Sequence, residues 1–422
     1  MARSLFGTDG VRGVVGQDLT IELVERLGGA ATRWSRGGRV FVGRDTRESG
    51  PALEQAFARG VVEAGGNAVL AGVLPTPAIA LLALDLGVVV SASHNPPEYN
   101  GIKIFDRDGQ KLSDAAEEEI EALLEEERAG PGGGAIDHVG VATDSYLEHI
   151  IERFGANLAG LKIAVDCANG AYSKLAPKAF ERLGAQVTAV GAAPDGTNIN
   201  LGCGATDLSL LQATVLKGDH DLGVAFDGDG DRMLAVDADG TPVDGDQIIA
   251  ILADDLGVEL VAVTVMTNLG FHRFAAERGI EVITTDVGDR YVLEALREHG
   301  GLLGGEQSGH IVYLKDHVTG DGLAAALLLC GALNGRTLAE AASILPRYPQ
   351  VKQNIPVAEK TLSVGLWDEV ERVNAELDGS GRILVRPSGT EPLVRVLAEA
   401  ENAERAAELC ARISALVTRE LG

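Results

Sequence analysis

The four cysteines of this sequence, Cys167, Cys203, Cys330 and Cys410, lie far apart and include no CxxC pair. That argues against a disulfide framework and fits reduced thiols in a cytosolic protein. No apolar signal core occupies Met1–Gly10, so a cytoplasmic location is expected. The longest apolar run, near Gly322–Leu333, is too short to span a bilayer. Positive charge is scarce. Lys and Arg number 36 against 62 Asp and Glu, a formal net charge of −26. Such a surface repels phosphate polymers and anionic lipid, so neither nucleic acid nor membrane is an expected partner. A small anionic substrate would need local basic residues to overcome that field. The chain also has no GxSxG elbow, no GxxxxGK[ST] loop and no GxGxxG fingerprint. These absences count against an α/β-hydrolase, a P-loop kinase and a Rossmann dehydrogenase.

What the chain does have is length and repetition. Its 422 residues, 45% hydrophobic, suggest about two to four domains with filled cores. One pattern recurs: strand, polar loop, helix, glycine, strand. The first copy runs from Arg39–Gly43 through a helix at Pro51–Glu63 and Gly65 to Asn67–Ala71. The second runs from Leu161–Val165 through Lys174–Arg182 and Gly184 to Gln186–Val190. The third runs from Val261–Val265 through Phe271–Arg278 and Gly279 to Glu281–Thr285. Each glycine falls where a helix needs a left-handed C-terminal residue. Strand–helix–strand units imply parallel strands with right-handed crossovers. One long doubly wound sheet would give the same local pattern, but the long stretches between copies favour three related α/β domains. Glu117–Arg128 reads as a charged helix, Gly130–Gly134 as a break and Asp144–Arg153 as a further helix. The tail differs. Arg382–Arg386 and Leu393–Glu399 read as strands flanking a Pro-Ser-Gly-Thr loop, with a helix from Ala403, a smaller α+β unit.

Four segments carry candidate chemistry. The apolar strand from Gly87 runs into Ser91-Ala-Ser93-His-Asn-Pro96. The carboxyl end of a strand is where open α/β sheets place ligands, and a serine on a proline-stiffened loop can serve as nucleophile. Taken alone, the same residues make an ordinary turn. His94 adjoins Ser93, and neighbouring side chains usually diverge, so adjacency alone does not make it the base. Asp227-Gly-Asp229-Gly-Asp231-Arg232 follows a second strand, Leu222–Phe226. Its glycines let three carboxylates converge on a hard cation such as magnesium, and without a cation those carboxylates would repel. The glycine and glutamate spacing does not match an EF-hand. Arg386-Pro-Ser388-Gly389-Thr390 offers an arginine, hydroxyls and open backbone amides, the parts of a phosphate cradle, with Arg395 just beyond. Gly304-Gly-Glu306-Gln307-Ser308-Gly-His310 offers groups that suit sugar hydroxyls. Smaller pieces join them: Phe6–Arg12, Asn100–Lys103 and Thr285–Arg290.

In this order and spacing the motifs, which span Phe6 to Pro392, resemble the α-D-phosphohexomutase family. The resemblance implies an α/β fold of three similar mixed-sheet α/β/α domains plus a smaller α+β C-terminal domain around a central cleft. The expected divisions are residues 1–150 with the phosphoserine loop, 151–244 with the metal loop, 245–355 with the sugar loop and 356–422 with the phosphate loop. Ser93 is similar to the family's phosphoserine. Asp227, Asp229 and Asp231 are similar to its magnesium ligands, one ion per chain, with the serine phosphate as a further ligand. Arg12, Lys103 and His310 resemble the catalytic residues that stabilise charge or move protons. Arg232, Glu306, Ser308, Arg386, Ser388, Gly389, Thr390 and Arg395 resemble substrate-binding residues. The Gly-Glu-Gln-Ser-Gly-His loop, the opening Phe-Gly-Thr-Asp-Gly-Val-Arg and Val287-Gly-Asp-Arg-Tyr-Val292 are similar to the family's glucosamine branch. Phosphomannomutase and phosphoglucomutase members usually carry another residue, often Met, in place of Gln307. The resemblance therefore implies an isomerase that interconverts glucosamine 6-phosphate and glucosamine 1-phosphate. Glucosamine 1,6-bisphosphate would be its intermediate and activator, and the product would feed UDP-N-acetylglucosamine precursor synthesis. The family also suggests a homodimer. Three alternatives stay open: a phosphomannomutase or phosphoglucomutase, a phosphatase, and a non-catalytic sugar-phosphate sensor. The last has no use for a donor serine or a metal triad.

Overall fold

The computed structural model describes residues 5–7, 9–126, 132–388 and 392–422. Gly389 and Thr390 of the predicted phosphate cradle, the end of the charged helix at Arg128 and the start of the Gly130–Gly134 break lie outside the described residues. Two compact units form, Met1–Met266 with Ile280–Ile344, and Thr267–Gly279 with Leu345–Gly422.

Among the described residues the strands make four sheets. The first contains β1 (Val11–Val14), β2 (Arg39–Arg44), β3 (Asn67–Val73), β4 (Leu86–Val90), β5 (Tyr99–Asp106) and β6 (Ile136–His138), in the order β1-β5-β4-β2-β3-β6. The second contains β7 (Lys162–Asp166), β8 (Gln186–Val190), β9 (Leu222–Phe226), β10 (Met233–Asp237) and β11 (Pro242–Val243), in the order β11-β10-β9-β7-β8. The third contains β12 (Leu260–Thr264), β13 (Glu281–Thr285), β14 (Leu303–Gly305) and β15 (Ile311–Tyr313), in the order β13-β12-β14-β15.

The predicted repeat is real at the level of pairing. β2 with β3, β7 with β8 and β12 with β13 are parallel pairs. The glycines at 65, 184 and 279 all take positive φ after their helices. The equivalence goes further. In each sheet the first strand of the repeat also pairs in parallel with a third strand, β4, β9 or β14. That third strand then pairs antiparallel with the next, β5, β10 or β15. The Ser93 segment leads from β4 to β5, the Asp227 segment from β9 to β10 and the Glu306 segment from β14 to β15. Three chemically different loops thus occupy the same topological place in three sheets.

Local sequence explains why these elements form. β4 and β9 are buried along their whole length, as continuous apolar runs in the middle of a sheet require. Helix Ile21–Trp34 starts on a Thr20 cap, and helix Gly245–Leu256 starts on a capping box of Asp244 and Gln247. Val24, Leu27, Leu53, Phe57, Val88, Ile102 and Ile120 pack into the core beside the first sheet. The longest apolar run becomes the buried helix Gly322–Ala332. No helix among the described residues is long and apolar enough to cross a membrane.

The second unit is built on the fourth sheet: β16 (Gln350–Pro356), β17 (Gly381–Pro387) and β18 (Leu393–Ala400), in the order β16-β18-β17, all antiparallel. Helices Val364–Leu377 and Ala403–Leu421 cover it, with Leu366, Val370, Ile383, Val396 and Ile413 in its core. This is the smaller α+β unit expected of the tail.

Candidate active site

Ser93 follows β4 with φ of 52°, in the left-handed region, where side chains other than glycine are uncommon. It is 1% exposed. Its Oγ donates to Asp227 Oδ2 at 2.6 Å. The expectation that His94 would diverge from Ser93 is not met, because the ring Nδ1 lies 3.3 Å from Ser93 Oγ. Burial, then the Arg232 and Arg12 charges, push the His94 imidazole down to about 4, so it is neutral near pH 7.

Asp227, Asp229 and Asp231 converge as expected. Each offers a ligand oxygen, and these oxygens all lie within 4.8 Å of one another. The glycines between them permit close approach. A Cβ on Gly228 would sit 2.7 Å from the Ser93 carbonyl oxygen, and one on Gly230, which has φ of 80°, would run into the Tyr172 ring. The Asp227 carboxyl also accepts from the backbone N–H of Gly230 and Arg232, each at 3.1 Å. Asp229 Oδ1 and Asp231 Oδ1 are buried and accept no hydrogen bond among the described residues. The Asp227 carboxyl is pushed well above its ordinary range by burial first and by Asp231 and Asp229 next. Crowded carboxylates with spare buried oxygens fit a hard divalent cation.

Cations gather at the edge of the triad. Lys103, on β5 and 2% exposed, places Nζ 2.8 Å from Asp229 Oδ2, 3.2 Å from Asp231 Oδ2 and 3.0 Å from Asp9 Oδ2. Burial opposes its charge, but Asp229, Asp231 and Asp9 outweigh that and hold the ammonium firmly protonated. Arg12, on β1, pairs with Asp9. Arg232 Nε lies 3.9 Å from Asp231 Oδ1. His310 bridges two carboxylates, with Nδ1 3.8 Å from Asp231 Oδ1 and Nε2 3.5 Å from Asp289 Oδ2. Burial opposes protonation of this ring, yet Asp289 and Asp231 raise its pKa above the ordinary value.

The third loop lies beside the second in the same unit. Met233 N–H donates to the Gly309 carbonyl at 2.9 Å, and Gly245 N–H donates to the Gln307 carbonyl at 3.1 Å. Glu306 accepts from Gly288 N–H at 3.1 Å and faces the Ser308 hydroxyl at 3.5 Å. Gln307 Nε2 donates to Asp246 Oδ2 at 3.2 Å.

In the second unit, Arg386 and Arg395 are register partners across β17 and β18. The Ser388 residue is buried, and its carbonyl accepts from Lys360 Nζ at 2.9 Å. Two arginines, a lysine and a serine at one hairpin suit an anion.

Four family models match the chain. They are the phosphoglucomutase/phosphomannomutase alpha/beta/alpha domains I, II and III, over residues 3–130, 144–240 and 244–348, and the C-terminal domain, over residues 350–416. The chain belongs to the phosphoglucomutase/phosphomannomutase family. A phosphoglucosamine mutase of Pelotomaculum thermopropionicum is 48% identical over 97% of this chain and 98% of its own. One of Thermobifida fusca is 48% identical over 99% and 98%. Among solved structures, a phosphoglucomutase/phosphomannomutase family protein from Burkholderia thailandensis is 27% identical, with a TM-score of 0.86 over 99% of this chain and 98% of its own. An N-acetylphosphoglucosamine mutase of Aspergillus fumigatus, solved with GlcNAc-6P and magnesium, is 18% identical over 99% of this chain and 96% of its own, with a TM-score of 0.71, and shares the fold. The fold is therefore the family's, three α/β/α domains and a smaller C-terminal domain with an antiparallel sheet.

Several charged and polar residues around these loops escaped the sequence reading. Asp9 sits among Lys103, Arg12 and Lys111, whose Nζ is 2.6 Å from Asp9 Oδ1. Lys111 Nζ also lies 2.6 Å from Asp289 Oδ2. Burial favours neutral carboxyls here, but Lys103 and then Lys111 at Asp9, and Lys111 and then His310 at Asp289, outweigh it and shift both carboxyls downward. Thr76 Oγ1 donates to Asp229 Oδ2 at 2.7 Å. Asp9 and Asp289 stand in segments singled out in the sequence, Phe6–Arg12 and Thr285–Arg290. Lys111, Thr76 and Lys360 stand in none.

Proposed function

We propose that this chain is a phosphoglucosamine mutase, an isomerase that interconverts glucosamine 6-phosphate and glucosamine 1-phosphate through a phosphorylated Ser93. The observation that carries this reading is the buried Ser93 hydroxyl bonded to Asp227 at the edge of the carboxylate triad. Full-length relatives at 48% identity bearing that name support the glucosamine assignment, as does the Gln307 loop.

Asp227, Asp229 and Asp231 would hold one magnesium ion. When bound, it supplies positive charge that neutralises the phosphoryl group being transferred. The chain's own residues do the rest. Phosphorylated Ser93 is the donor. The free hydroxyl of glucosamine 6-phosphate attacks phosphorus, the bond between Ser93 Oγ and phosphorus breaks, and the hydroxyl proton passes to a base. Glucosamine 1,6-bisphosphate results. It turns end for end, Ser93 Oγ attacks its other phosphate, and glucosamine 1-phosphate leaves with a proton returned to its oxygen. Phosphoryl transfer depends on positioning and charge more than on covalent help. Lys103, against the triad, and Arg12, paired with Asp9 beside Lys103, would offset developing charge. His310, held between Asp231 and Asp289, would move a proton. Glu306 and Ser308 would take sugar hydroxyls. Arg386, Ser388, Gly389 and Thr390, assisted by Arg395, would take the phosphate that is not reacting. The substrate would be a small sugar phosphate, handled in the cytoplasm.

Ser93→Ala tests the reading. Turnover should vanish with the fold intact by circular dichroism, and intact mass should lose any phosphoryl increment. Normal turnover would remove the phosphoserine role.

A further inference from the structure

Between β2 and the helix that follows it lies a turn, Asp45–Ser49, to which no role is assigned above. Arg47 is its centre, and its side chain has no solvent exposure. A guanidinium carries five N–H donors, and all of them are used. Nε donates to Asp45 Oδ2 at 2.9 Å. Nη1 donates to the carbonyls of Pro96 and Tyr99, the latter at 2.9 Å. Nη2 donates to the carbonyls of Ser93 at 2.9 Å and Asn95 at 2.8 Å. One planar fork thus gathers carbonyls along the loop that bears the nucleophile.

The same turn holds the other side of Ser93. Asp45 Oδ2 accepts from Ser91 Oγ at 2.6 Å, and Ser91 Oγ accepts from Ser93 N–H at 2.9 Å. Asn200 Nδ2 adds a second donor to the Ser93 carbonyl, at 2.8 Å. Thr46 Oγ1 donates to the Asn169 carbonyl at 2.6 Å, and Glu48 N–H donates to the Gly196 carbonyl at 2.9 Å. These bonds tie the turn to loops of the second sheet, which also carries the triad. Ser93 is therefore fixed at both its N–H and its carbonyl while its φ is 52°. Burying a guanidinium and a carboxylate gives little net stability over an apolar filling of the same volume. Their use here is geometric.

We propose that Arg47 is the positioning residue of the nucleophile. It fixes the Ser93 backbone in its left-handed conformation and so holds Oγ at the edge of the triad. The proposal rests on the reading of Ser93 as the phosphate carrier.

Arg47→Ala, Arg47→Lys and Ser93→Ala are compared with wild type. The readouts are kcat and KM for glucosamine 6-phosphate with magnesium and glucosamine 1,6-bisphosphate, folded fraction from thermal melts, and recovery by millimolar guanidinium. For Arg47→Ala, kcat should fall about 100-fold, the scale of a small misplacement of a reacting group, with KM little changed. Added guanidinium should restore part of kcat in Arg47→Ala and in no other variant. Arg47→Lys keeps the charge but not the planar fork, so it should fold and still lose kcat. Wild-type kcat per folded molecule in Arg47→Lys overturns the proposal, and this variant decides the matter if Arg47→Ala does not fold. A folded Arg47→Ala with wild-type kcat, or one whose lost kcat guanidinium does not restore, overturns it as well. Turnover by Ser93→Ala overturns the phosphate-carrier reading and this proposal with it. Loss of turnover in Ser93→Ala beside an unimpaired Arg47→Lys overturns this proposal alone.

Discussion

Ser93 and Asp227 stand 134 positions apart in the chain, yet Ser93 Oγ donates a 2.6 Å hydrogen bond to Asp227 Oδ2 in a buried setting. The donor atom of the proposed phosphoryl transfer therefore touches the carboxylate triad directly. Asp227→Asn preserves shape and removes one negative charge. Magnesium affinity should weaken, and kcat should fall about 100-fold or more. Magnesium at 100 times its Kd should stabilise the wild type by about 2.7 kcal/mol in thermal melts. The variant should show much less of that shift. Equal stabilisation of both proteins would place the ion elsewhere.

Chelation gives a second outcome. EDTA should abolish turnover, and magnesium should restore it. Asp229 Oδ1 and Asp231 Oδ1 are buried and accept no hydrogen bond among the described residues, so turnover unaffected by exhaustive chelation would contradict the reading of the triad.

A second buried network supports the loop from behind. Tyr146 and Tyr172 hydroxyls donate to Asp321 at 2.7 and 2.8 Å, and His317 Nε2 lies 3.0 Å from the same carboxyl. Leu323 and Ala324 N–H donate to it at 2.9 and 3.0 Å. The Tyr172 ring abuts Gly230 of the carboxylate loop. Burial raises the Asp321 pKa, but His317 and the donors outweigh it, and the net shift is downward from 3.8. Its contribution to stability is therefore complete above the unfolded value near 3.8 and disappears as pH falls through the lower folded value. Asp321→Ala should cost about 3 kcal/mol in urea denaturation at pH 7. A loss below about 0.5 kcal/mol, the size of an ordinary surface change, would show that the network does not stabilise the fold.

The thiols should be inert in the native protein. Cys167, Cys203, Cys330 and Cys410 are all buried and free. Burial pushes Cys203 up to about 11 and Cys330 up to about 12. Burial raises Cys167 and Cys410 as well. Thiolate, the reactive form, is then negligible at pH 8. A disulfide reagent should find no rapidly reacting thiol before unfolding and all four after it. Fast modification of the folded protein would contradict the packing around them.

Chemistry concentrated in a short segment was legible without coordinates. The Ser93 segment, the Asp227–Asp231 triad and the Glu306–His310 loop each carry several functional groups side by side, and the first two follow apolar runs that read as strands. The parallel pairs β2–β3, β7–β8 and β12–β13 were likewise visible as apolar runs separated by a helix and a glycine. Lys111 was not, because its meaning arises from burial against Asp289, 178 positions away. Arg47 looked like any charged residue in a turn, since nothing local reveals that its fork will meet backbone carbonyls beyond residue 90. The short approach of His94 to Ser93 depends on one left-handed φ, which a serine does not announce.

The central claim is that phosphate moves between the two ends of glucosamine. The most direct measurement is conversion of glucosamine 6-phosphate, with magnesium and a trace of glucosamine 1,6-bisphosphate, beside glucose and mannose 6-phosphates. The account predicts strong preference for the glucosamine compound, with no net release of inorganic phosphate. Preference for glucose or mannose would overturn the reading of the Gln307 loop, and no conversion of any of them would contradict the account as a whole.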